Sequence, residues 1–83
     1  MKWLTEHGFA RDKYYWERPE VRVWRAGRLW IAQDPTSGAW GQCKHPREAV
    51  VALAAALRDI AKARRAEAAK LDAAADVVEG VLR

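Results

Sequence analysis

Three side chains in this 83-residue chain are soft enough to hold a transition metal or to activate a nucleophile: His7, Cys43 and His45. A structural zinc site takes four such groups, and Cys43 and His45, two residues apart, match no zinc motif. As a nucleophile, Cys43 would need His45 as its base and a third group to orient that base, which two positions at one strand end seldom supply. No glycine-rich phosphate loop occurs, and no paired carboxylates fall where a cleft is expected. These residues predict no metal, no cofactor and no catalysis, and they leave Cys43 as a small core thiol.

What remains is the chemistry of contact. The run Val21 to Ile31 reads as a short hairpin. With Arg25, Ala26 and Gly27 as a three-residue loop and Gly27 left-handed, Val23 lies opposite Leu29, Val21 opposite Ile31 and Trp24 opposite Arg28. Strand side chains alternate, so one face is then aliphatic and the other carries Arg22, Trp24, Arg28 and Trp30. Trp40, Gln42 and Lys44 join that second face if Ala32 pairs with Trp40. Such a face fits nucleic acid, where rings stack or wedge and cations take phosphates or guanine edges. It fits a protein partner equally, because Trp and Arg are favoured hot-spot residues. A one-residue change of register would instead turn the same tryptophans into core.

Charge and composition frame both readings. The chain carries a formal charge of +4, unevenly placed: nine Lys/Arg against five Asp/Glu up to Arg47, and six against six from Glu48 onward. All eight aromatic residues lie between Trp3 and Trp40, whereas alanine dominates after Ala49. The large core pieces and the basic excess therefore belong to the first half, and a basic surface suits an acidic partner. A single cysteine excludes an intrachain disulfide and fits a reducing, cytoplasmic setting. The longest apolar stretch, Ala49 to Leu57, is too short to cross a bilayer, so no membrane partner is expected.

The elements that must position these residues follow from spacing. Met1 to Gly8 reads as a short helix or arm docked by Trp3 and Leu4, and Phe9 to Arg18 as a strand that Pro19 ends. Asp34-Pro35-Thr36-Ser37-Gly38 is a turn, and Ala39 to Lys44 a further strand. His45 then serves as N-cap, Pro46 as the first helical residue, and Glu48 opposes the helix dipole. Val50, Leu53, Leu57 and Ile60 form an apolar stripe that Leu71, Ala74, Val78 and Val81 resume. The basic cluster Arg58, Lys62, Arg64 and Arg65 reads as a solvated helix face.

One helix from Pro46 to about Glu79 would run roughly 50 Å at 1.5 Å per residue. Strands of six residues span only roughly 20 Å. The second half would overhang the sheet with Leu71, Val78 and Leu82 bare, needing a partner, the N-terminal segment, or a turn near Arg64 to Glu67. Self-association is the simplest expectation: a homodimer in which an antiparallel pairing sets the basic stretch Arg58 to Lys70 against the acidic stretch Asp72 to Glu79.

The segment from Arg28 to Val50 resembles the three-strand-plus-helix DNA-binding domain of plant ethylene-response factors and the related arm-binding domains of phage integrases. The matching residues are Trp30, Asp34-Pro35, Gly38, Trp40-Gly41 and Glu48-Ala49. That resemblance implies a sheet set in the DNA major groove with Arg22, Trp24, Arg28, Trp30 and Trp40 as contacts. Small, tryptophan-bearing, alanine-rich chains without a catalytic set also resemble phage proteins that bind and block a host complex, anti-CRISPR proteins among them.

The expectation is thus a single α+β domain over residues 1–83. Residues 1–45 form an antiparallel sheet of three or four strands against one long C-terminal helix over 46–83, whose second half serves oligomerisation. Its work is non-catalytic binding, as a DNA-associated accessory protein of a phage or mobile element, or as an inhibitor or adaptor docking on a host protein complex.

Overall fold

The computed structural model describes residues 2–63 and 68–83. In chain order these form α1 (Lys2–Glu6), β1 (Ala10–Arg11), β2 (Trp16–Arg18), β3 (Val21–Ala26), β4 (Leu29–Gln33), β5 (Trp40–Cys43), α2 (Pro46–Ala63) and α3 (Ala68–Val81). The strands make one antiparallel sheet in the order β1-β2-β3-β4-β5, with the long helix α2 packed on it, so the class is α+β as composition and spacing imply. The sheet has five strands because Phe9 to Arg18 is not a single strand. The Asp12 N–H donates to the Tyr15 carbonyl at 2.8 Å, closing a turn that doubles the segment back as β1 and β2.

The β3–β4 hairpin departs from the three-residue loop. Ala26 pairs with Leu29, Trp24 with Ile31 and Val23 with Ala32, which leaves Gly27 and Arg28 as a two-residue loop. Gly27 alone carries a positive φ, 63°, at the first loop position, the requirement of a type II′ turn. The change of register is odd, so every β4 side chain crosses to the other face. Leu29 and Ile31 join Trp24, while Trp30 and Ala32 join Val21 and Val23 beneath the helix. The β4–β5 register is also shifted by one, with Ala32 opposite Gly41 and Gln33 opposite Trp40. The two shifts cancel for β5, and Trp40 and Gln42 stay on the face of Trp24.

Turn chemistry sets that second register. Asp34 is buried, and its carboxylate accepts the amides of Thr36 (3.1 Å) and Ser37 (3.3 Å) and the Ser37 hydroxyl (2.6 Å). Its own N–H donates to the Ala39 carbonyl at 2.8 Å. At the other end of β5 the His45 carbonyl accepts the Ala49 amide at 3.0 Å, making His45 the N-cap and Pro46 the first helical residue.

The inner layer is tight where β5 meets α2. A Cβ built on Gly41 would lie 2.4 Å from the Leu53 backbone nitrogen and 2.6 Å from the Ala52 carbonyl carbon. Only a residue without a side chain allows that approach. It brings Val50, Leu53 and Leu57, all fully buried, onto Val21, Val23 and Ala32. At the sheet's other margin, α1 is held by the Arg18 guanidinium, which donates to the His7 carbonyl at 2.6 Å and lies 5.9 Å from the Phe9 ring.

The C-terminal stretch is not one straight rod. In a continuous helix Arg58 and Glu79 would stand roughly 30 Å apart, yet their side chains meet at 2.9 Å, and the whole fold is 37 Å long. The turn considered near Arg64 to Glu67 lies outside the described residues. Arg58 reaches Asp72 (3.8 Å), Asp76 (2.8 Å) and Glu79 (2.9 Å), which share one face of α3. The opposite-charge facing expected between two chains is thus made within one. Leu71 and Val78, assigned above to self-association, are buried in the same cluster as Leu53 and Leu57, and Leu82 is half-buried against it. The overhang that called for a homodimer is absent.

Hydrogen bonds from Arg58 to Asp76 and then Glu79 raise its pKa above the ordinary arginine value. A raised pKa adds stability that is fully present below the ordinary arginine value and is lost as pH rises through the raised one. Titration to about pH 10 should therefore leave this clip intact, whereas salt should weaken it. Arg58→Gln is expected to lower the Tm at low salt and to flatten its salt dependence in thermal denaturation. Gly41→Ala should lose about 2 kcal/mol to overpacking, a fall in Tm of roughly 10 °C. An unchanged Tm would contradict the close approach of β5 and α2.

Candidate functional site: the outer face of the sheet

The helices occupy one side of the sheet, and the opposite side holds two adjoining depressions lined only by strand and turn residues. One, of about 250 Å³, is bounded by Trp24, Ile31, Gln33, Trp40 and Gln42. The other, of about 300 Å³, is bounded by Tyr14, Tyr15, Arg22, Trp24 and Gln33. Trp24 and Gln33 line both, so the Trp24 indole forms a ridge with an aromatic wall facing it on either side. Each hollow is large enough for one planar ring or one branched side chain.

The register explains how these side chains come together. Arg22 and Trp24 alternate outward on β3, Leu29, Ile31 and Gln33 on β4, and Trp40 and Gln42 on β5. Trp24 stands opposite Ile31, and Gln33 opposite Trp40. Trp40 is 55% exposed and Tyr14 74%, while Trp24 and Ile31 are half-buried. The Gln33 side chain donates to the Gly38 carbonyl at 3.3 Å, which holds its amide beside the β4–β5 turn.

Electrostatically the face is quiet. Arg22 lies with its guanidinium carbon 5.1 Å from the Tyr15 ring centre. Its Nε is 3.5 Å from the carboxylate of Glu17, the residue directly opposite on β2. The cation is thereby stacked and countered at once, and Trp24, Leu29, Ile31, Gln33, Trp40 and Gln42 carry no charge. Further cations stand at the margin: Lys13 near the Tyr14 ring, at 5.3 Å, and Arg28 in the hairpin turn.

Of the six expected contact residues, the structure brings Arg22, Trp24 and Trp40 together. Trp30 is corrected to the inner side, where it pairs with Arg25 and Cys43 and packs half-buried against the core. Lys44 follows the end of β5 and is exposed. The contact set implied by the DNA-binding resemblance therefore does not share one face. Leu29, Ile31, Gln33 and Tyr15 were missed, and a glycine-first two-residue loop is the signal that would have found the first three.

The metal and nucleophile candidates do not converge. The His7 ring stacks on Trp3 at 4.2 Å, with its Nδ1 2.8 Å from the Trp3 carbonyl, and the Cys43 thiol donates to Glu48 at 3.3 Å. Among the described residues no group of three or more His, Cys, Asp or Glu is placed to hold a metal, and no helix is long and apolar enough to cross a membrane. No family model, curated protein or solved structure matches the chain significantly.

The sidedness of the tryptophans is open to a direct check. Trp40 is exposed and the other four are half-buried. Trp40→Phe should remove most of the long-wavelength, acrylamide-quenchable emission, and Trp30→Phe should leave it. A reversed result would place Trp30 outside and refute the hairpin register.

Proposed function

We propose that this chain is a non-catalytic binding module that docks on a protein surface through the outer face of its sheet, in the manner of an inhibitor or adaptor. The observation that carries the reading is the uncharged aromatic centre of that face, with its one arginine already countered by Glu17. The cores of protein interfaces are depleted in charge and enriched in Trp, Tyr and Arg, with polar groups at the rim. Trp24 and Trp40, flanking a hollow floored by Ile31, have that composition. Trp24 is the expected anchor, because both hollows share it.

DNA binding is the rival, favoured by the excess of nine Lys/Arg over five Asp/Glu up to Arg47. Affinity for nucleic acid comes chiefly from phosphate contacts and falls steeply with salt, about −0.9 in log-log slope per neutralised phosphate on duplex DNA. An interface centred on neutral rings lacks that dependence.

The two readings separate in one experiment. Immobilised protein should retain a protein partner from a host extract at both low and high salt. A Trp24→Ala, Trp40→Ala variant should lose the partner while keeping its circular dichroism spectrum. Duplex and single-stranded oligonucleotides should not be retained even at low ionic strength. Salt-sensitive retention of an oligonucleotide, abolished in the same variant, would replace this reading with DNA binding.

A further inference from the structure

The two edges of the sheet are built differently. β1 is two residues long and carries Arg11, whose guanidinium lies 5.5 Å from the Trp16 ring centre and donates to the Asp12 carbonyl. A short, charged edge of that kind discourages further pairing. β5 is four residues long, Trp40-Gly41-Gln42-Cys43, and among the described residues no strand lies beyond it. It has no charge, no proline and no bulge in its register with β4. Within Trp40–Cys43 themselves, neither a charge, a proline nor a bulge blunts the edge, and Lys44 stands just beyond them.

Its free hydrogen-bonding groups can be assigned. The Asp34 N–H donates to the Ala39 carbonyl, so that pair is a hydrogen-bonded one. Alternation along an antiparallel ladder then makes Ala32 with Gly41, and Trp30 with Cys43, the next bonded pairs. The N–H and C=O groups of Trp40 and Gln42 therefore point away from β4, and their side chains lie on the outer face.

We infer that the partner reaches the outer face by adding an extended segment of its own chain to β5, as a sixth strand of the sheet. This rests on the outer face being a docking surface and names how the partner is held there. Main-chain bonds to Trp40 and Gln42 supply affinity, and alternate side chains of the added strand supply specificity. Outward side chains, aromatic or branched, fall beside Trp40 and extend its hollow. Inward side chains meet the flank of α2 above the edge. Ala52, which touches Gly41, is half-buried there, so small apolar residues fit those positions.

The same geometry disfavours a second copy of this chain as the occupant. α2 sits directly over β5, with the Leu53 nitrogen 2.4 Å from a Cβ at Gly41. A two-fold-related β5 would lie about 4.8 Å away with its own α2 above it. Packed helices need about 8–10 Å between axes. A strand that comes without such a helix meets no such crowding.

The test uses the full chain, isotopically labelled, and an end-blocked peptide alternating valine and alanine with flanking lysines for solubility. Millimolar peptide should slow amide exchange at Trp40 and Gln42 by about tenfold or more. Gly41 and Cys43, already bonded to β4, and the β1 edge at Ala10 and Arg11 should be unchanged. The same peptide N-methylated on four consecutive amides should have no effect. Gln42→Pro, which removes an outward N–H at an edge position that tolerates proline, should abolish the response. The inference is overturned by unchanged exchange at Trp40 and Gln42, by equal slowing at β1, or by binding of the methylated peptide. Protection of the edge in a concentration-dependent dimer without peptide would also overturn it, in favour of a second copy. If Gln42→Pro keeps the protein partner that Trp24→Ala, Trp40→Ala loses, strand addition fails while the docking face stands; if both variants keep it, both readings fall.

Discussion

The near-contact of two backbones, Gly41 on β5 and Ala52–Leu53 on α2, is the constraint on which the other arrangements depend. It fixes which side of β5 faces the helix, and through the β4–β5 register it makes Ala32 the buried neighbour of Gly41. Through the hairpin it then makes Val21 and Val23 the floor on which Leu53 and Leu57 rest. Strand parity leaves no further freedom: with these residues inside, Trp24, Ile31 and Trp40 must be outside. The candidate docking face is thus the complement of a packing requirement.

The second constraint is the doubling back of the C-terminal stretch. Arg58 gathers Asp72, Asp76 and Glu79, and the apolar side of α3 contributes Leu71, Ala75, Val78 and Val81 to the buried cluster. Single exposed ion pairs contribute little, so the clip selects an orientation while burial supplies most of the driving force. With α2 and α3 committed to one side, no layer among the described residues covers the opposite side of the sheet. That is how a chain this small presents an indole 55% exposed at an unprotected strand edge.

Much of the fold was legible from local chemistry. Pro46, His45 and Glu48 marked the start of α2, the Asp34–Gly38 run marked the β4–β5 turn, and helical spacing marked Val50, Leu53 and Leu57 as buried. Each of these signals is decided within a few residues by a side-chain hydrogen bond, a preset φ or a periodic stripe. The site was only partly legible. Arg22, Trp24 and Trp40 were identified, but Trp30 was placed with them and Ile31 was placed opposite. Gly27 is compatible both with the end of a three-residue loop and with the start of a two-residue one, and the two choices differ by one strand parity.

Taken alone, the chain's residues determined the class of the fold, the start of α2, the β4–β5 turn and the burial of Val50, Leu53 and Leu57. The tertiary structure decided the hairpin register, the doubling of Phe9 to Arg18 into two strands, and the burial of Leu71 and Val78 within one chain. The division has one physical cause. Periodicity and capping are properties of neighbours along the chain, whereas register and helix return depend on which surfaces fit at van der Waals distance, as Gly41 fits beneath α2 and Arg58 meets α3.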